Sequence, residues 1–195
     1  MAHGPNYRVE FRRKREGVTD YVNRKKLISS GLPRFVVRKS LNAISCSVIE
    51  YSEEGDKTII SVTSLALPKL GYKGHTGNIS AAYLTGYICG LKAKHKNINK
   101  AVLDIGLYKS VYGSNIYSAL KGFIDAGIEV PHDPKIFPPE ERIKGEHIVE
   151  YAKKLKVENP EKYKLQFSKL LSRNFKPEDY VKHFEEIKKK ISEEF

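Results

Sequence analysis

The densest chemistry in the chain lies near its start, in YRVEFRRKRE over residues 7–16. Arg8, Arg12, Arg13, Lys14 and Arg15 stand there with Tyr7 and Phe11 among them. A guanidinium is a planar fork that matches two phosphate oxygens at once, and an aromatic ring gives an unpaired base a face to stack on. That combination is the chemistry of nucleic-acid binding. The plain alternative is a solvated terminus; a basic helix lying on a membrane needs a bulky apolar face, which this stretch lacks. RNA is favoured over DNA because the chain shows no helix-turn-helix, zinc-finger or zipper pattern.

Charge placement points the same way. Residues 1–39 carry eleven Lys/Arg against three Asp/Glu, a net +8, which leaves +4 of the total +12 for the other 156 residues. The excess is an N-terminal feature, and a basic balance of that size implies a polyanionic partner.

A second candidate is GYKGHTGN (71–78), a polar, glycine-rich loop ahead of a helix. Backbone N–H groups at such a place meet phosphates. A P-loop closes on Gly-Lys-Ser/Thr and a dinucleotide fingerprint has other spacing, so no NTP site is expected. Contact with an RNA phosphate is the functional reading; an ordinary loop is the plain one. Two-metal nuclease chemistry needs carboxylates converging from the first strand, first helix and fourth strand. Here RFVVRK (34–39) and the helix 78–95 hold no acid, and Asp104 stands alone as a structural hydrogen-bond acceptor. The six histidines show no zinc spacing, and Glu140, Glu141 and Glu146 read as helix-start acids. Cys46 and Cys89 read as small buried thiols of a reducing compartment. No catalytic residue, metal ligand or cofactor is expected.

The elements that must position these residues follow from period and punctuation. The basic stretch reads as an extended arm ending at Gly17, helical only when bound. Thr19-Asp20 offers N-cap chemistry for a short helix from Tyr21 to Ser29, closed by Gly31. Runs at 34–39, 44–51 and 58–63 predict three antiparallel strands joined by SLNA and SEEGDK. In the helix 78–95, Ile79, Ala82, Tyr83, Gly86, Gly90 and Ala93 share one face, small enough to approach the sheet closely. Residues 100–105 predict a fourth strand, Ser114 caps a second helix ending at Gly127, and IEV (128–130) predicts a last strand. The expected fold is α/β: an RNase-H-like mixed sheet of three antiparallel strands, then two right-handed βα crossover units. After the proline-rich HDPKIFPPEE, three helices are expected near 145–156, 160–173 and 177–192, the last two opened by Pro160 and Pro177. The expected division is a basic RNA-binding arm and short helix at 1–32, the α/β core at 33–130, and a linker with a helical extension at 131–195. With no apolar run of about 18 residues and no signal core, a cytosolic chain is expected.

Several long words then resemble one family in order and over nearly the whole chain. They are RRKREGVTDYVNRKKLI (12–28), PRFVVRKS (33–40), GYKGHTGNISAAYLTGYICGLKA (71–93) and AVLDIGL (101–107). YGSNIYSALKGFIDAGIEVPH (112–132), RIKGEHIVEYAKKL (142–155) and YKLQFSKLL (163–171) complete the set. The chain resembles the large-subunit ribosomal protein L-eighteen family, in its archaeal branch, akin to the eukaryotic protein L-five. The resemblance implies a non-catalytic constituent of the large ribosomal subunit in the cytoplasm. It implies binding of 5S rRNA and attachment of that RNA to large-subunit rRNA in the central protuberance, beside neighbouring ribosomal proteins, with neither DNA nor membrane as partner. Its RNA contacts carry over onto Tyr7, Arg8, Arg12, Arg13, Lys14, Arg15, Tyr21, Arg24 and Lys25. They carry over also onto Arg38, Lys39 and Asn42 at the first hairpin and onto Lys73, His75, Thr76 and Asn78 in the loop. LYKSVYGSN (107–115) departs from the family's wording, so Lys109 and Tyr112 are left out. The alternatives are a non-ribosomal RNA-binding or RNA-processing factor on the same fold, and a protein–protein module built on the C-terminal helices.

Overall fold

The basic stretch forms one helical turn, α1 (Arg12–Arg15), in the computed structural model, which describes residues 4–195. This corrects the extended arm. The turn is bridged by i,i+4 ion pairs, Arg12 to Glu16 at 3.2 Å and Lys14 to Glu10, and Arg13 Nε donates to Thr19 Oγ1 at 2.8 Å. Helix α2 (Tyr21–Ile28) is capped as expected, with the Asp20 carboxylate accepting from the Val22 and Asn23 amides at 3.0 and 3.1 Å.

Strands β1 (Arg34–Lys39), β2 (Ile44–Glu50) and β3 (Lys57–Thr63) are the β-branched runs. In β2, Ile44, Cys46 and Val48 are buried and their neighbours half-exposed, the period of two of a one-faced strand. β1 is buried over four successive residues, Arg34–Val37, because it lies inside the sheet with both faces covered. It pairs antiparallel with β2, Val37 opposite Cys46, and β2 pairs antiparallel with β3 through a bulge at Val48/Ile49. β4 (Val102–Asp104) joins the other edge of β1 in parallel, so the order is β3-β2-β1-β4. The expected fifth strand is reduced to one bridge, Glu129 with Lys100. Gly127, in the left-handed region at φ 100°, and Pro131, without an N–H, leave too few residues to extend the ladder.

Helix α3 (Ile79–His95) follows a 3-10 turn at Ser64–Leu70 and the glycine loop. Its small face meets α4 (Asn115–Asp125), not the sheet, which corrects the expectation. A Cβ on Gly86 would overlap the Ala119 carbonyl, and one on Gly122 the Tyr83 carbonyl. Ser114 holds the N-cap position of α4, but its hydroxyl makes no cap bond. Phe35 of β1 and Phe123 of α4 stack at 4.0 Å in the core between sheet and helices.

The C-terminal part forms α5 (Glu140–Lys144), α6 (Glu146–Glu158), α7 (Pro160–Gln166), α8 (Ser168–Leu171) and α9 (Tyr180–Glu194). The helix expected at 160–173 is broken at Phe167, and that at 177–192 begins as a 3-10 turn. Ile143, Phe184, Ile187 and Ile191 enter the main core, while Ala152, Leu155 and Phe167 make a small second one. Among the described residues, no helix is long and apolar enough to cross a membrane.

Candidate nucleic-acid interface

Tyr7, Arg8, Arg12, Arg13, Lys14 and Arg15 are all exposed on the arm. Phe11 packs on Tyr21 at 5.3 Å between ring centroids, which ties the arm to α2. Arg13, Arg24, Arg34 and Arg38 then line one cleft of about 290 Å³ with Asp56 and Asp104. Its floor is an ion network. Arg34, 3 % exposed, donates to Asp104 at 2.9 Å and to Asp56 at 2.6 Å. Arg24 reaches Asp56 at 2.8 Å, and Arg38 donates to the Asp104 carboxylate at 3.0 Å and to its carbonyl at 2.8 Å. Burial pushes both carboxyls up, but the Arg38 hydrogen bond and charge outweigh it at Asp104, as Arg24 and Arg34 do at Asp56. Both are held below the usual carboxylate range, so both stay charged. Asp104 is the structural acceptor expected from the sequence.

Beyond the cleft the cations continue to the hairpin. Lys39 is exposed, its Nζ 5.8 Å from the Tyr108 ring, whose hydroxyl donates to the Lys39 carbonyl at 2.7 Å. The Asn42 carbonyl accepts from the Thr76 hydroxyl, which docks the glycine loop on the hairpin turn. A Cβ on Gly77 would stand 2.6 Å from the Leu41 carbonyl, so only glycine permits this approach.

The loop is also held from behind. The Asn78 side chain caps α3 by accepting from the Ala81 amide at 2.8 Å. Tyr72 donates to Asn78 Oδ1 at 3.1 Å and Asn78 Nδ2 donates to the Tyr180 hydroxyl at 2.6 Å. The ring closes with Tyr180 donating to the Tyr72 hydroxyl at 2.6 Å. The Lys73 amide donates to His183 Nε2 at 3.0 Å, and Arg173 donates to the Lys73 and Gly74 carbonyls at 2.9 and 3.2 Å. His183 is held low chiefly by burial, with Lys73 and Lys190 acting in the same direction against Glu186, so it remains a neutral acceptor.

The predicted residues therefore fall into two groups. Lys25, Lys39, Asn42, Lys73 and His75 present exposed side chains with the arm, and Tyr21, Arg24 and Thr76 are partly exposed. Arg38, its side chain 41 % exposed, and Asn78, partly exposed, are also engaged with the fold, the first with Asp104 and the second as a helix cap. Arg173, Tyr180 and His183, which shape the loop, were missed by sequence reasoning, because they lie about a hundred residues from it and follow no motif. Among the described residues no cluster of three or more His, Cys, Asp or Glu is placed to hold a metal. Burial pushes the Cys46 thiol up and the Cys89 thiol to about 12, so neither is a ready nucleophile.

Fold and site define a basic α/β protein with cations gathered from an N-terminal arm to one end of a mixed sheet. Residues 5–99 and 91–133 match the family model described as ribosomal large subunit proteins 60S L5, and 50S L18. The chain belongs to that family: it is a large-subunit ribosomal protein, an rRNA-associated component of a ribonucleoprotein.

Proposed function

We propose that this chain binds 5S rRNA and helps attach it to large-subunit rRNA in the central protuberance. It acts there as a structural constituent beside neighbouring ribosomal proteins of the cytoplasmic ribosome, with no catalytic step of its own. The observation that carries this reading is the continuity of the basic tract. Arg13, Arg24 and Arg38 share one cleft, Lys39 follows Arg38 on β1, and the next turn carries Asn42, which Thr76 holds against the loop. Tyr7, Arg8, Arg12, Arg13, Lys14, Arg15, Tyr21, Lys25, Lys39, Asn42, Lys73 and His75 are the proposed contacts. Arg24, Arg38, Thr76 and Asn78 keep the tract in shape, with Arg24, Arg38 and Thr76 also within reach of RNA. Three antiparallel strands followed by a parallel β4 support an RNase-H-like sheet, with an arm at 1–32, a core at 33–130 and an extension at 131–195.

The test is affinity for 5S rRNA across a salt series, with excess tRNA as competitor. Each phosphate contact contributes a slope of about −0.7 to −0.9 in log K against log salt. Replacing Arg12, Arg13 and Arg15 together by alanine should flatten that slope by about 2. A slope unchanged in the triple variant would remove the arm from the interface. Binding of wild type that tRNA erases would overturn the 5S assignment.

A further inference from the structure

We infer that the cleft between the glycine loop and helices α6–α8 holds one unpaired RNA nucleotide. The cleft has a volume of about 440 Å³, ample for a base with its ribose and phosphate and within the range of ligand pockets. The loop forms one wall; the extension, outside the family-matched residues 5–133, supplies the other.

The lining selects the occupant. Phe167, 7 % exposed, forms the apolar floor, and Tyr151, 42 % exposed, stands over it in an edge-to-face pair at 6.3 Å. An aromatic left half in water beside an apolar floor suits a flat ring that stacks on one and covers the other. Lys169 and Arg173 line the cleft, and among the described residues no carboxylate does. Arg173 uses one terminal nitrogen on the Lys73 and Gly74 carbonyls, which aims its guanidinium while leaving its other N–H groups for a phosphate. His75 Nδ1 accepts from the Gly77 amide at 3.1 Å, so the neutral ring carries its proton on Nε2, as a donor. An apolar protein side chain would fill the floor but leave these cations without a partner. A nucleotide satisfies both. The cleft also continues the tract of the proposed interface, since His75 belongs to both, and the inference rests on that RNA reading.

The experiment uses the full chain with Tyr151→Ala, Tyr151→Phe and Lys169→Glu. Both positions are exposed, so unchanged melting temperatures should confirm intact folds. The first readout is affinity for 5S rRNA. Tyr151→Ala is expected to weaken it about tenfold, within the range of one base stacked on an aromatic ring, and Tyr151→Phe to restore it. Lys169→Glu should weaken it and reduce the salt slope by about one contact. The second readout is a hexaribonucleotide carrying a single 2-aminopurine, whose fluorescence should be quenched by wild type and Tyr151→Phe but not by Tyr151→Ala. If Tyr151→Ala matches wild type in both readouts while the Arg12/Arg13/Arg15 variant loses affinity, the cleft takes no nucleotide and the arm's role stands. If wild type itself fails to hold 5S rRNA, the functional reading falls and the cleft proposal with it.

Discussion

Arg34 carries its charge where only 3 % of the residue meets water, and a charge so placed is tolerable only with its partners present. Asp104 supplies one of them and also fixes Arg38 at the cleft wall. Asp104→Ala should therefore lower stability by about 1–3 kcal/mol as read by urea unfolding, because Arg34 keeps Asp56 at 2.6 Å while its other terminal nitrogen is left without an acceptor. A loss near zero would show that the network is not part of the fold's support. The pH dependence has a definite sign. Asp104 and Asp56 titrate lower in the folded chain than in the unfolded one, so their stabilisation is present above the unfolded value near 4. It is lost as pH falls through the lower folded values. The acid limb of a stability-against-pH curve should be shallower in Asp104→Ala than in wild type; superimposable limbs would contradict the assignment. The structural role of Asp104 was legible because it was the lone acid on its strand. Its partners Arg34 and Arg38 lie 70 and 66 residues away and answer to pairing across the sheet, which local pattern does not encode.

At the scale of elements, glycines decide how α3 meets α4. Gly86→Ala places a methyl against the Ala119 carbonyl, part of a backbone that cannot swing aside as a side chain does. The helices must separate, and the expected loss is at or above the upper end of about 1–3 kcal/mol for overpacking. A thermal midpoint equal to wild type would show that the contact relaxes freely. The three antiparallel strands were readable within one residue, since alternation and β-branching are local properties. By contrast, β4 is shorter than the run at 100–105, and the run at 128–130 makes only one bridge. The partner of α3's small face was not readable, because a small face suits any close neighbour. The clamp on the glycine loop lay beyond reading for the same reason. Arg173→Ala removes two of its hydrogen bonds, which should cost the global fold only about 1–2 kcal/mol while speeding amide exchange across residues 71–78. Exchange unchanged in that segment would mean that the loop keeps its shape without the extension.

Across the whole molecule, the family match ends at residue 133, but the core does not. Phe184, Ile187 and Ile191 of α9 lie 3 %, 1 % and 0 % exposed in the same apolar cluster as Phe35, Leu84 and Phe123. A helix that supplies buried side chains to another unit's core unfolds with that core, because exposing either face costs both. Ile187→Ala should therefore destabilise the entire chain by about 2–5 kcal/mol, and a single cooperative transition should shift as one. If the extension were an autonomous appendage, the same substitution would split the melt and leave the core transition where it was. The arm is the contrasting case. No residue of α1 is buried, and its two ion pairs are exposed ones of the kind that contribute about 0–1 kcal/mol. Replacing Arg12, Arg13 and Arg15 by alanine should leave the unfolding transition within about 0.5 kcal/mol of wild type while changing the salt dependence of RNA binding. The arm would then serve RNA affinity without supporting the fold, whereas the extension supports the fold and adds to affinity only through its cleft. A triple variant that unfolds markedly earlier than wild type would show instead that the arm is part of the folded unit.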